Sequence, residues 1–318
     1  MTAEQNKRNV GKAWAEFLRL PNLPSAPGDA LAGAALAPVA TLFDATGSAF
    51  ALASVAAAFA ALLLYAGGLA DNDIVDAGKD RASAPSRPLP SGRISLSAAR
   101  TARTALFLAA FAIGLAARLP RAWFCAAAAT LWLVLLYNRA KDAFPKTGFL
   151  LMGLCRGGSF VAGAAAVLPC PWPGFPVVLF AVAAGWTAYV ASLTALASNE
   201  ENAASPLGPA RYLGAVAALS PAIAFLAWQG GVSWRAVPLA AGSLAAALVW
   251  IAAVHPLGRP HGPDARRRAV GKTIGALLYL QAGFVLLLPW QSAGLVLLAA
   301  CFAARFLVHR RLPAVTGS

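Results

Sequence analysis

The sequence is dominated by apolar stretches that are each about as long as a membrane-spanning helix. Such a helix needs about 20 consecutive, mainly apolar residues. Ten stretches approach that length, at 23–43, 49–70, 97–117, 122–139, 149–168, 176–197, 209–228, 235–254, 271–289 and 292–309. Only 12% of the 318 residues are charged, against about 25% in an average soluble domain. The pattern predicts an all-α, polytopic transmembrane bundle of nine to ten helices, because only Pro-Trp-Gln separates the last two stretches.

The distribution of basic residues predicts the orientation of this bundle. With the N-terminus in the cytoplasm, 22 of the 26 Lys and Arg residues fall on the cytoplasmic side and three fall outside, as the positive-inside rule requires. The net charge of +14 therefore reflects membrane topology, and we expect no nucleic-acid partner. We expect one transmembrane domain over 1–318, with a cytoplasmic segment 1–22, no cleavable signal peptide and a polar tail 310–318. The expected location is a bacterial inner (plasma) membrane.

A dense patch of charge follows the second apolar stretch, in "DNDIVDAGKDRASAPSRPLPSGRIS" (71–95). Asp73, Asp76 and Asp80 are spaced i, i+3 and i+7, which places them on one face of a helix. Three carboxylates on one face repel one another unless a cation neutralises them. Mg²⁺ prefers carboxylate oxygens and commonly bridges to substrate phosphates. The segment therefore predicts a Mg²⁺–phosphate site at the membrane edge; the alternative is an ordinary solvated loop.

These residues resemble the UbiA-type intramembrane prenyltransferases. The family's first Asp-rich motif, NDxxDxxxD, matches Asn72, Asp73, Asp76 and Asp80. The segment "PSRPLPSGRIS" (85–95) is similar to one in the branch that contains chlorophyll synthase and geranylgeranylglyceryl phosphate synthases. Weaker similarity lies at 18–33, 136–142 and 153–163, so that the resemblance covers about 20–215. It implies a nine-helix fold.

The resemblance also implies a reaction, the transfer of a prenyl group from an allylic prenyl diphosphate to a small alcohol or aromatic acceptor. Asp73, Asp76 and Asp80 would hold Mg²⁺, and Asp73, Asp76 and Lys141 would be the catalytic residues. Further substrate-binding candidates are Asn72, Arg87, Arg93, Tyr137, Asn138, Arg156, Tyr189, Thr194 and Asn199. Arg87, Arg93 and Lys141 suit phosphate oxygens, and membrane lipid is a further partner.

Several of these candidates have a structural alternative. A charged residue within a span, such as Arg156, usually faces a cavity or a partner; it could contact the diphosphate or an anionic acceptor, or pair with a carboxylate. Tyr137, Asn138, Tyr189 and Thr194 could line the substrate pocket or simply pack between helices. Asp29, near the start of the first span, is a candidate for the acceptor pocket.

One region departs from the family pattern. The second Asp-rich motif expected after the sixth helix is replaced by "ASNEENAASPLG" (197–208), whose only carboxylates are Glu200 and Glu201. These two are candidate metal ligands, with Asn199 as a neutral oxygen donor. The departure leaves open a second function, a catalytically degenerate membrane protein that binds prenyl diphosphate or lipid. A secondary transporter is less favoured because no repeated halves are visible, and a CDP-alcohol phosphotransferase because its signature is absent.

Overall fold

The computed structural model describes residues 3–41, 47–168, 175–198, 206–230, 234–287, 299–300 and 303. A short N-terminal helix, α1, precedes nine helices, and no strand occurs among the described residues. The helices are α1 (Ala3–Phe17), α2 (Ala26–Thr41), α3 (Ser48–Ser83), α4 (Leu96–Ala116), α5 (Arg121–Ala140), α6 (Pro145–Val167), α7 (Val177–Ser198), α8 (Leu213–Gln229), α9 (Val237–Val254) and α10 (Pro263–Val285).

Seven of these helices, α3 to α9, are long and apolar enough to cross a membrane, α8 and α9 together with the short 3-10 turns beside them. α2 has only 16 residues, of which 14 are buried, and α10 packs against α2, α7 and α9. The predicted all-α, polytopic bundle is thus confirmed. The cytoplasmic position of the N-terminus stays a prediction, and most of the apolar stretch 292–309 lies outside the described residues.

The bundle is held together by close helix contacts at small residues. α2 and α6 approach so closely that a Cβ atom on Gly33 would collide with the backbone carbonyl of Phe160, and one on Gly163 with that of Ala30. Small residues let helix backbones meet in lipid, where van der Waals packing drives association. The two glycines therefore fix the spacing of α2 and α6.

The second membrane helix continues well past its apolar part. α3 runs to Ser83, so the carboxylates that follow the apolar stretch stand on its last three turns. The connection 84–95 then folds back towards α1, where Phe17 and Ala13 pack with Ile94, Ala99 and Ala70 in a small separate core. This packing holds α1 and the connection over the polar end of α3.

Candidate active site

A cleft opens between α3, α5 and α6 beside the polar end of α3. Its empty space is about 630 Å³, including the open mouth. Its lining includes the polar side chains of Arg19, Asn72, Tyr137 and Asn138 near the polar end of α3. It also includes the apolar side chains of Leu64, Leu69, Val134 and Met152, together with Tyr65, Thr130, Arg156 and Ser159. A cleft with this mixed lining can receive a ligand that has a polar head and an apolar body.

The carboxylates of α3 lie beside Asn72 at this cleft. The Asn72 amide nitrogen is 3.4 Å from Asp73 Oδ1 and donates to Asp76 Oδ2 at 3.1 Å. Asp73, Asp76 and Asp80 fall within about 60° of one another around the helix, because each residue advances by about 100°. The spacing of these residues in the sequence is therefore realised on a continuous helix.

Each of these carboxylates is paired with a basic side chain from another segment. Arg19 Nη2 lies 2.9 Å from Asp73 Oδ1. Lys141 Nζ lies 2.6 Å from Asp76 Oδ2 and also donates to the side-chain oxygen Oδ1 of Asn72. The third carboxylate, Asp80, accepts from Arg87 Nη1 at 2.8 Å. Three carboxylates of α3 are thus each paired with a cation, and two of the pairs adjoin the cleft through the lining residues Arg19 and Asn72.

The chemistry of this donor set fits Mg²⁺. Asp73 and Asp76 both lie within reach of the small Asn72 amide, so that two carboxylates converge on one place. Mg²⁺ is commonly held by one or two carboxylates together with waters and substrate phosphates. Among the described residues, no group of three or more His, Cys, Asp or Glu side chains converges as a complete cage. The arrangement therefore suits an ion that is completed by a phosphate-bearing ligand.

Arg156 lies deeper, on the wall of the same cleft, and is also part of a buried network. Its Nε is 2.5 Å from Asp29 Oδ2, and its Nη2 donates to Asp29 Oδ1 at 3.0 Å. Trp186 and Gln281 donate to the same Asp29 oxygen at 3.2 and 2.9 Å. The guanidinium carbon also lies 5.4 Å from the centre of the Tyr65 ring. Arg156 thus both lines the cleft, as a ligand-binding residue would, and pairs with a buried carboxylate.

The other candidate residues lie in three places: the cleft wall, α7 and the connection 84–95. Tyr137 and Asn138 line the cleft. Tyr189 is buried, donates to the Thr273 carbonyl at 2.7 Å and is not among the residues lining the cleft. Thr194 donates to Val190 within its own helix. Arg93 lies in the connection 84–95, 2.6 Å from Glu16 Oε2.

The remaining candidates, Asn199, Glu200 and Glu201, lie outside the described residues. Asp29 contacts Arg156 but is not among the residues that line the cleft.

Sequence reasoning missed two residues that line the cleft, Arg19 and Tyr65. Arg19 adopts the left-handed conformation, with φ of 46°, which is uncommon for a residue other than glycine. A basic residue directly before the Pro-containing turn at 20–25 was the only available signal for it. Tyr65 lies two turns before Asn72 on α3, and this spacing could have placed it on the same face.

Fold and site together define a class of protein. It is a multi-pass membrane protein in which the polar end of α3 carries carboxylates, paired with cations, beside a partly apolar cleft. The model of the UbiA prenyltransferase family matches residues 30–255. The chain therefore belongs to the UbiA prenyltransferase family.

The comparisons with individual proteins agree with this membership. The chain is 40% identical over 115 residues to digeranylgeranylglyceryl phosphate synthase of Halobacterium salinarum, a stretch that covers 36% of this chain and 41% of the relative. The match thus spans about two fifths of that relative's length.

Two solved structures share the fold. An apo UbiA homologue from Aeropyrum pernix K1 has a TM-score of 0.60 at 21% identity, over 81% of this chain and 96% of the other. A UbiA homologue from Archaeoglobus fulgidus bound to GPP and Mg²⁺ has a TM-score of 0.59 at 16% identity, over 86% and 99% of the two chains.

Proposed function

We propose that this protein transfers a prenyl group from an allylic prenyl diphosphate to a small acceptor, releases pyrophosphate and depends on Mg²⁺. The observation that carries the proposal is the set of three carboxylate–cation pairs at the polar end of α3, together with the apolar side chains in the adjoining cleft. Family membership supports the same reaction. We expect the reaction at the cytoplasmic face of the membrane, where the basic connections are predicted to lie.

The polar residues would act on the diphosphate. In this reaction the bond between the allylic carbon and the diphosphate oxygen breaks, and negative charge develops on the departing pyrophosphate. Fixed cations stabilise such developing charge, and Arg19, Lys141 and Arg87 are placed to do so at the cleft mouth. Asp73 and Asp76 would hold Mg²⁺, which when bound supplies further neutralisation of the phosphate oxygens. Asn72 orients Asp76 and Lys141 through its amide.

The apolar wall would hold the prenyl chain. Leu64, Leu69, Val134 and Met152 contribute apolar surface to the cleft that the chain can contact. Such a surface also keeps water away from the allylic cation that remains when pyrophosphate departs. An oxygen lone pair of an alcohol acceptor, or the π electrons at a ring carbon of an aromatic acceptor, then form the new bond to the allylic carbon. The proton of that hydroxyl group or ring carbon leaves to solvent or to the released pyrophosphate.

The acceptor we favour is a glyceryl phosphate lipid with a free hydroxyl group. The support comes from the names of the relatives that share 32–40% identity with part of this chain, all of them digeranylgeranylglyceryl phosphate synthases from archaea. An aromatic acceptor is the second class to be tested. We keep the bacterial inner membrane as the proposed location of the protein. The only support for it is the pattern of apolar stretches and basic loops in the sequence.

A turnover assay with purified protein tests the proposal. Geranylgeranyl diphosphate and geranyl diphosphate serve as donors, and geranylgeranylglyceryl phosphate and 4-hydroxybenzoate serve as acceptors, with and without Mg²⁺. We expect pyrophosphate release that requires Mg²⁺ and falls at least about 100-fold in Asp76→Asn. Asp76 would hold the Mg²⁺ that neutralises the leaving group, and loss of one group that stabilises developing charge costs that much in other enzymes. The matched control is Asp264→Asn, an exposed carboxylate in the first turn of α10, which should keep wild-type activity.

A second function, binding of prenyl diphosphate or lipid without catalysis, is favoured by the region 197–208. It contains no aspartate, so that the second Asp-rich motif of the family is degenerate. Under this alternative, geranylgeranyl diphosphate would bind in a manner that Asp76→Asn abolishes, while no acceptor would give pyrophosphate release. That combination of results would replace the proposed transfer reaction.

A further inference from the structure

Asp71 is the one carboxylate of the 71–80 segment that is turned away from the cation-lined mouth. Successive helix residues turn by about 100°, so the side chains of Asp71 and Asp73 leave α3 about 160° apart. The Asp71 side chain is completely buried. It therefore lies against neighbouring helices, and its role differs from that of the carboxylates at the mouth.

Asp71 is surrounded by hydrogen-bond donors from α4 and α5. Arg103 donates to Oδ1 at 2.9 Å. Asn138 and Arg139 donate to Oδ2 at 2.9 and 3.3 Å. Both carboxylate oxygens are thus engaged, and the charge is balanced by two guanidinium groups. A carboxylate with these contacts is a structural acceptor rather than a free ligand for a metal ion.

The contact with Asn138 links this buried group to the cleft. Asn138 is 3% exposed and lines the cleft wall. Its amide nitrogen carries two hydrogens, and these go to Asp71 Oδ2 and, at 3.1 Å, to the carbonyl oxygen of Gly68. Because both partners can only accept hydrogen bonds, the nitrogen must face them. The orientation of the amide is therefore fixed by chemistry, and Oδ1 is the polar atom that Asn138 can offer to a ligand.

We propose that Asp71 is a positioning residue, which holds the Asn138 amide so that its Oδ1 serves as a hydrogen-bond acceptor in the cleft. That oxygen suits a substrate group that carries an O–H or N–H, and it would orient the acceptor nucleophile. The inference rests on the proposed transfer reaction and adds to it a selectivity for acceptors with a donor hydrogen. Asp71 acts only through Asn138 and does not touch the substrate.

The test uses the full-length protein, geranylgeranyl diphosphate and geranylgeranylglyceryl phosphate. In Asp71→Asn, the carboxylate that accepts from Asn138 becomes an amide, which can either accept or donate. The Asn138 amide can then turn over and still form a hydrogen bond. We expect kcat/KM for the acceptor to fall about 10- to 100-fold, the usual effect of losing a partner that orients a ligand-binding group. The KM for geranylgeranyl diphosphate should stay within about twofold of wild type, which a general loss of structure would not produce.

Two further variants separate positioning from stability. Arg103→Gln removes an ion pair of Asp71 but leaves the hydrogen bond from Asn138, so that it should lower thermal stability while acceptor kinetics stay unchanged. In the double variant Asp71→Asn/Asn138→Ala, acceptor kcat/KM per folded protein should equal that of Asn138→Ala alone, because Asp71 has no role in acceptor binding once the amide is gone. Multiplied losses in the double variant would overturn the inference, as would wild-type acceptor kinetics in Asp71→Asn.

If Asp71→Asn does not fold, Asp71→Glu takes its place, since it keeps the negative charge beside Arg103 and Arg139 and displaces the oxygen that accepts from Asn138. We expect it to fold and to lower acceptor kcat/KM with little change in the KM for geranylgeranyl diphosphate; wild-type acceptor kinetics would count against the inference. The wild-type and Asp76→Asn reactions keep the two proposals apart. Absence of turnover in wild type refutes the transfer reaction itself. Turnover in wild type that Asp76→Asn abolishes and Asp71→Asn leaves intact refutes only the role of Asp71.

Discussion

At the scale of single residues, the pair of Arg156 and Asp29 shows how the bundle accommodates charge. Both side chains are buried, and Asp29 is fully so. Removal of one member of a buried ion pair leaves an uncompensated charge, which in soluble proteins costs about 3–5 kcal/mol. We therefore expect Arg156→Met to lower the free energy of unfolding by about 3 kcal/mol, measured by denaturant unfolding in detergent micelles.

The double variant Asp29→Leu/Arg156→Met is the matched control for this prediction. It removes the whole pair, and apolar replacements of buried ion pairs are often neutral or stabilising. Much of the lost stability should therefore return. If Arg156→Met had wild-type stability, the buried negative charge of Asp29 would not depend on Arg156 for its neutralisation.

At the scale of helices, the crossing of α2 and α6 depends on glycine. A Cβ atom at position 163 would overlap the backbone carbonyl of Ala30, which cannot move without the whole of α2. Overpacking of this kind costs about 1–3 kcal/mol. Gly163→Ala should lower the unfolding midpoint accordingly. Because α6 carries Arg156 and forms a wall of the cleft, the KM for the prenyl diphosphate should also rise.

Gly271 on α10 provides the comparison for Gly163. No atom lies within 4 Å of a Cβ placed there, so that Gly271→Ala should instead stabilise the helix by about 0.5–1 kcal/mol. Equal effects of the two substitutions on the unfolding midpoint would contradict the close α2–α6 contact.

At the scale of the whole molecule, the orientation in the membrane is open to direct measurement. Lys and Arg residues favour cytoplasmic loops, which predicts that the connection 84–95 lies inside and the turn between α4 and α5 outside. In a variant whose four native cysteines are replaced by alanine, a cysteine at Ser91 should react with a membrane-impermeant maleimide only in permeabilised cells, and one at Arg121 in intact cells. The Arg121 substitution removes an outside positive charge and so does not favour inversion. The reverse labelling pattern would place the proposed site on the outer side.

The sequence alone was sufficient for the bundle and for the carboxylate face, because both follow from local patterns. Apolar stretches fixed the positions of most helices, and the spacing of Asp73, Asp76 and Asp80 placed them together on α3. The partners of these carboxylates could not be predicted. Arg19 meets Asp73 from 54 positions away, and Lys141 meets Asp76 from 65 positions away. Such pairs depend on which helices become neighbours, and that information is not local.

The same limit explains the different outcomes for Asp71 and Tyr189. Asp71 belongs to the same charged segment as Asp73, and only the neighbouring α4 and α5 turn it into a buried acceptor. Tyr189 was a plausible pocket residue by composition, but α10 and α9 lie against it and engage both its hydroxyl and its ring. The region 199–205 lies outside the described residues, so Asn199, Glu200 and Glu201 stay predictions.

The Asp29 network also has a consequence for how the chain is made. Asp29 leaves the ribosome 127 residues before Arg156 and 252 residues before Gln281. During synthesis α2 therefore reaches the translocon with an acidic side chain whose partners do not yet exist. An unpaired Asp within a membrane helix costs about 3 kcal/mol on transfer into lipid, so that we expect stable insertion of α2 only after α6 has supplied Arg156. The last donor arrives with α10, and the insertion of α2 thus depends on segments that are made much later.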